Sequence, residues 1–161
     1  MVKCYLMSKE TNNTILNPWW IAGFVDGEGC FSISFVKNNT VRFGYQIFTE
    51  FVITQGEKSK SCLEEIMTYF GCGKLYINNR TDNHNEPLYR YCVRSRDDLQ
   101  NIIIPFFYKH KLKTSKSIDF DIFAKVVAMM YEGKHLNEEG FLKIRELAAQ
   151  TNRKKARGLV M

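Results

Sequence analysis

No apolar run in this 161-residue chain approaches the ~20 residues that a membrane-spanning helix needs, and residues 1–16 lack the apolar core of a secretory signal. A helical membrane protein is excluded, and an intracellular setting with no membrane partner is expected. The five cysteines, Cys4, Cys30, Cys62, Cys72 and Cys92, are odd in number and never fall as Cys-x-x-Cys. That usage argues for reduced thiols, not for a disulfide framework or a zinc site. The histidines, His84, His110 and His135, have no partners at metal-ligand spacing. Gly73-Lys74 lacks both the upstream glycine and the following hydroxyl of a phosphate-binding loop. No segment repeats internally. What remains is one ordinary globular domain with a net charge of +6 and a pI near 9.1, which points to a polyanionic partner.

The chain is organised around Asn17-Pro18-Trp19-Trp20-Ile21-Ala22-Gly23-Phe24-Val25-Asp26-Gly27-Glu28-Gly29. Asn17 is a good N-cap, and Pro18 suits the first helical turn, where no N–H is required. Asp26 and Glu28 arrive where glycines end the helix. Carboxylates are disfavoured at that end, because the helix dipole is negative there. Acids placed beside exposed carbonyls in spite of this suit the holding of a cation.

Beyond it the periodicity changes. Cys30 to Phe35 alternates apolar and small polar residues, and Lys37 to Thr40 reads as a turn. Arg42 to Thr54 alternates again, with Phe43, Tyr45, Ile47, Phe51 and Ile53 on one face. Arg42, Gly44, Gln46, Phe48 and Glu50 fall on the other, where Phe48 is expected to meet a ligand or a neighbouring strand. Cys62 to Phe70 has helical spacing and stops at Gly71. A second hairpin follows, with Lys74, Tyr76, Asn78 and Arg80, then Arg90 and Arg94, on its polar face. Ser95 to Asp98 predicts a capping box, Pro105 a kink or restart, and residues 116–131 a helix with a stripe of Ile118, Ile122, Val126 and Met129. Asn137 caps a last helix running to about Gln150. The order is α+β, αββαββα with extra C-terminal helices. Residues 1–13 read as a loose arm, 14–150 as the domain and 151–161 as a basic tail.

Ile21 to Gly29 resembles, position for position, the signature of the LAGLIDADG homing endonucleases. The resemblance implies a saddle-shaped antiparallel sheet on double-stranded DNA and metal-dependent cleavage of both strands of a long, nearly palindromic site. It also implies a homodimer, since one copy of the signature is present. Mg²⁺ is the expected cofactor, with Mn²⁺ a substitute, held by Glu28 and the Gly27 carbonyl. Gln55, closing Ile53-Thr54-Gln55, is similar to the family's water-positioning glutamine. Lys113 is similar to its basic residue near the scissile phosphate, with Lys116 the rival if the register shifts. Where the family often has another basic residue, this chain has Ser59, and Lys58 or Lys60 could substitute. The expected DNA-reading set is Ser32, Ser34, Lys37, Arg42, Gln46, Glu50, Lys74, Tyr76, Asn78, Arg80, Arg90 and Arg94. Trp20, Gly23, Phe24 and Gly27 form the expected dimer face, with Ala22 helping the backbones to approach. An RNA maturase acting on its own intron, or a DNA-binding protein without cleavage, is the rival reading. A prokaryotic cytoplasm, mitochondrion or chloroplast is the expected location.

Overall fold

The computed structural model describes residues 16–78 and 87–151. The expected arm, Arg80 and all but the first residue of the basic tail lie outside the described residues.

Helix α1 spans Pro18–Glu28, and the Asn17 side chain accepts a hydrogen bond from the Trp19 N–H at 2.8 Å. At its other end, the Gly29 N–H closes the helix on the Val25 carbonyl, and strand β1 (Gly29–Lys37) begins with no loop between. A Cβ on residue 29 would lie 2.6 Å from Val25 Cγ1 and 2.9 Å from the Val25 oxygen, so glycine makes this abrupt exit possible. Strand β2 (Tyr45–Gly56) returns antiparallel, helix α2 (Lys60–Phe70) crosses behind, and strands β3 (Lys74–Asn78) and β4 (Leu88–Val93) form the second hairpin. The four strands lie in the order β1-β2-β4-β3, so β4 pairs with β2 at the centre.

The expected start of β2 needs correction. Residues 38–44 are a turn, closed by hydrogen bonds from the Asn38 N–H to the Gly44 carbonyl and from the Gly44 N–H to the Val41 carbonyl. Arg42 is therefore a turn residue, and Tyr45 is exposed where the alternation placed it inside. Lys37 closes β1 opposite Tyr45, on the parity of Phe31, Ile33 and Phe35 and not within a turn.

The helices among the described residues lie to one side of the sheet. Ser95 caps α3 (Arg96–Asp98) as its sequence predicts, accepting from the Asp98 N–H at 3.3 Å. Pro105 acts as expected of a residue with no N–H. The turns before it widen into a π-helix over Leu99–Ile103, and the chain resumes as α4 (Ile104–Lys109). Helix α5 (Lys116–Tyr131) buries Phe120, Ile122, Phe123, Ala124, Val126, Val127 and Met130. Ile118, expected on the core stripe, is 62% exposed because its first-turn position precedes the contact with the sheet. Asn137 caps α6 (Glu138–Thr151) through the Gly140 N–H at 2.8 Å, as expected.

The core is aromatic. Phe31 packs against Phe51, Phe107, Phe120 and Phe123, joining β1, β2, α4 and α5. A fully buried ring of this kind contributes about 1.5–3 kcal/mol through area removed from water. Tyr91 is also fully buried, its hydroxyl donating to the Cys72 carbonyl at 2.9 Å, and burial drives that phenol's pKa far upward. Gly73, at φ +81°, lies under the Tyr91 ring, where a Cβ would be 2.7 Å away. Among the described residues, no helix lies on the opposite face of the sheet.

Candidate functional site

Asp26 and Glu28 are two residues apart, so their side chains leave α1 about 200° apart and serve different ends. Asp26 turns inward. Its carboxylate accepts from the Lys113 N–H at 2.8 Å, the Thr114 N–H at 3.0 Å and the Thr114 hydroxyl at 2.6 Å. Desolvation pushes its pKa up, but those hydrogen bonds and the nearby Lys116 outweigh it and hold the carboxyl below its ordinary range. Glu28 turns outward, is exposed, and makes no hydrogen bond or ion pair among the described residues.

By tying down 113–114, Asp26 sets the start of α5, and there Lys116 reaches back. Its Nζ donates to the carbonyls of Val25 at 2.9 Å and Gly27 at 3.1 Å. The Val25 carbonyl also takes the Gly29 N–H, whereas the Gly27 carbonyl is one that the helix end leaves without an intrahelical donor, and a cation there is favoured by the dipole. Burial lowers the Lys116 pKa against the pull of Asp26, Cys30, Glu28 and Asp119. Lys113 contributes its backbone to this junction, while its side chain is exposed. The ammonium at the end of α1 is thus that of Lys116. Gln55 lies half-buried near the end of β2, two residues beyond the Gly29–Ile53 pair, so the register carries it toward the same end of α1.

The uncovered sheet face is polar in register. Ser32 lies opposite Glu50, Ser34 opposite Phe48, and Val36 opposite Gln46. Arg90 lies between Thr54 and Tyr76, with Lys74 opposite Cys92 and Asn78 opposite Leu88. An open groove on this face is lined by Cys30, Ser32, Glu50, Thr54, Arg90 and Arg94, among others. Phe48 stands 41% exposed on the same face, unburied by any neighbouring strand. Arg42 and Lys37 are exposed but stand outside these rows. Arg42 stacks over Phe43 at 5.3 Å, and Phe43 packs on Phe141 of α6.

On α1 itself, Trp20, Gly23 and Gly27 form an exposed stripe, with Phe24 half-buried and stacked on Trp20 at 5.1 Å. Ala22 is turned into the chain's own core at 3% exposure, so it cannot take part in close approach to another helix. Trp19, 56% exposed, sits edge-on to His110 beside this stripe.

A family profile described as LAGLIDADG endonuclease matches residues 21–127. The chain belongs to that family. It is 37% identical over 137 residues to "Probable intron-encoded endonuclease 2" of Neurospora crassa, covering 85% of this chain and 29% of the relative. It is 35% identical to "Probable intron-encoded DNA endonuclease 1" of Mycosarcoma maydis, covering 83% of this chain and 46% of the relative. The chain therefore spans less than half the length of these relatives. Among solved structures, it resembles the homing endonuclease I-TnaI at TM-score 0.76 and 40% identity, covering 85% of this chain and 88% of that one. It also resembles the LAGLIDADG homing endonuclease I-SmaMI bound to cleaved DNA at TM-score 0.81 and 32% identity, covering 92% of this chain and 48% of that one. The open four-stranded antiparallel sheet backed by helices is the fold of these LAGLIDADG enzymes.

Ser59 precedes α2, and of its possible substitutes Lys60 is paired with Glu64 at 2.8 Å, whereas Lys58 is exposed in the preceding turn. Thr114 and the anchoring role of Asp26 were not legible in the sequence. In the sequence both signature acids suit a cation, and nothing local separates the anchoring acid from the outward one.

Asp26 yields a pH prediction. Its folded pKa is depressed, so its contribution to stability is complete above the unfolded carboxylate pKa and is lost as pH falls through the folded value. Asp26→Asn should lower stability by about 1–3 kcal/mol at neutral pH, since an amide cannot accept all the donors facing it. Thermal unfolding of the two proteins should converge under acid conditions.

Proposed function

We propose that this chain is a site-specific DNA endonuclease that acts as a homodimer, holding Mg²⁺ at the end of α1 and cutting both strands of a nearly palindromic site. The observation that carries this reading is the outward Glu28 at the close-packed end of α1, beside a sheet face rich in donors. The intron-encoded relatives favour an intron as the source of the chain. Alignment with nearly all of I-TnaI, but about half of I-SmaMI, favours two copies of this fold per complete site.

The donor set fits a hard cation. Glu28 offers carboxylate oxygens and Gly27 a carbonyl, both suited to Mg²⁺ or Mn²⁺. Among the described residues, no three His, Cys, Asp or Glu side chains gather as a metal site, so phosphate, water or a second Glu28 must complete the ligand shell. When bound, the cation supplies an acidified water and neutralises charge on the phosphate. Glu28 fixes its position. Gln55, at the same end of the sheet, orients water through its amide. Lys116 places a positive charge where the phosphate oxygens become more negative. Asp26 holds the segment that delivers Lys116. Ser32, Ser34, Gln46, Lys74, Tyr76, Asn78, Arg90 and Arg94 meet the DNA, as a twisted antiparallel ribbon can in the major groove.

The two lysines can be separated by experiment. Lys116→Met should lower the single-turnover cleavage rate by roughly 10²–10³-fold with binding nearly unchanged, as for loss of one transition-state donor. Lys113→Met should change the rate by less than about tenfold, because its ammonium stands in solvent. The reverse order would assign the catalytic ammonium to Lys113. A cleavage selection on a randomised DNA library with Mg²⁺ tests the whole reading, and recovery of no cut duplex would reject it.

A further inference from the structure

The acid on the DNA-facing strands is occupied. Glu50 lies at the centre of the sheet, 17% exposed, with both carboxylate oxygens engaged. Oε1 accepts from Arg90 Nη2; Oε2 accepts from Arg94 Nε at 2.7 Å and from the Cys92 thiol at 3.4 Å. Arg94 also lies over the Tyr76 ring, 5.7 Å from its centroid. Strand β2 thus supplies one carboxylate that links Arg90 of β4 to Arg94 just past its end, and β3 supplies an aromatic platform beneath Arg94.

A carboxylate on this face could accept from a cytosine N4 amine, which is the role its place in the alternation suggests. Its oxygens are already taken by charge-assisted bonds, and breaking them would strand two cations. Burial raises the Glu50 pKa, but the bonds from Arg94, Arg90 and Cys92 more than offset this and keep the carboxylate ionised. The geometry leaves different donors free on the two arginines. Arg94 gives Glu50 its Nε–H and keeps both terminal amino groups, the pair that binds guanine O6 and N7 together. Arg90 gives Nη2 and keeps Nε and Nη1.

We propose that Glu50 is a positioning residue for specificity, reading no base itself but holding Arg94 with its terminal fork toward a guanine edge and bracing Arg90 beside it. Restraint matters because a free arginine on a basic sheet finds phosphates at every sequence. A pinned guanidinium gives up that sequence-independent contact and has less side-chain entropy to lose at its proper base. This role rests on the sheet face being the DNA surface.

The test measures affinity by fluorescence anisotropy without divalent cation, so that no strand is cut. It uses the duplex recovered from the library selection, every single-base-pair variant of it, and a range of salt. Glu50→Gln should bind unrelated duplex several-fold more tightly, with a salt slope steeper by about one freed phosphate contact. It should also lose roughly tenfold of discrimination at one or two guanine-containing pairs per half-site. Glu50→Asp keeps the charge but shortens the reach, so it should lose the same discrimination, with a salt slope between those of the wild type and Glu50→Gln. Should the amide variant fail to fold, the aspartate variant decides alone. Arg94→Lys should lose discrimination at the same pair, and adding Glu50→Gln to it should cost little more there. Retention of full discrimination by Glu50→Gln, or wild-type behaviour of Glu50→Asp, would overturn the positioning role while leaving the DNA surface intact. A wild-type protein that prefers no duplex would instead reject the DNA surface itself.

Discussion

Glu28→Gln should abolish DNA cleavage in Mg²⁺ and leave affinity for the target nearly unchanged. The substitution keeps the shape of the side chain and removes its negative charge. Glu28 is exposed and has no hydrogen bond or ion pair among the described residues, so the folded chain loses nothing it was using. A hard divalent cation does lose: an amide oxygen is a far weaker ligand than a carboxylate, and Lys116 already competes for the Gly27 carbonyl at 3.1 Å. Several kcal/mol of transition-state stabilisation would go with the cation, a fall of roughly 10²–10⁴-fold in rate. Affinity should survive because the proposed DNA surface is elsewhere, on the polar rows of β1 to β4. Single-turnover cleavage and anisotropy on the same duplex measure the two effects. Full activity of the glutamine variant would remove Glu28 from the metal site.

The neighbouring acid shows why only part of this site could be read from sequence. Alternation and capping are local, so Asn17, Ser95 and Asn137 announce their helices, Arg90 falls on the expected face of β4, and Arg94, just past its end, reaches Glu50 on the same side. The partners of Asp26 lie at 113 and 114, in another element, and no periodicity links them to it. The same distance hid the choice between Lys113 and Lys116. Both lie in a run of cations, and only the anchoring of Thr114 to Asp26 decides which ammonium reaches the helix end. Ala22 misled for a different reason. Being small, it suits a close helix contact as well as a crowded core, and the 100° step of the helix assigns it to the core. Arg42 misled because the alternation ran unbroken into a turn, where the Gly44 φ of +72° ends the strand pattern.

Gly23→Leu should remove dimerisation and cleavage together while leaving the chain folded. A duplex has two strands of opposite polarity, and this chain brings one outward carboxylate at one helix end. A single copy could cut both strands only by releasing the DNA and rebinding it inverted. A twofold axis maps one strand onto the other, and each copy then reads one half of an inverted repeat. The two Glu28 side chains come near that axis only if the α1 helices meet along Trp20, Gly23, Phe24 and Gly27. This stripe is already uncovered: Trp20 is 46% exposed, and the glycines face solvent. A Cβ at Gly23 or Gly27 would meet nothing within 4 Å in the isolated fold, and neither residue has a left-handed φ. A leucine at 23 is therefore tolerated by the protomer, and in a helix leucine is favoured over glycine, which lies about 0.8–1 kcal/mol below alanine. Whatever activity is lost must be lost at the contact between copies, where a leucine would hold the backbones apart. Sedimentation with and without DNA, together with thermal unfolding, separates the cases. The variant should sediment as a monomer with an undiminished melting temperature and make no double-strand breaks. A wild-type chain that stays monomeric on its target and still breaks both strands would refute the two-copy site.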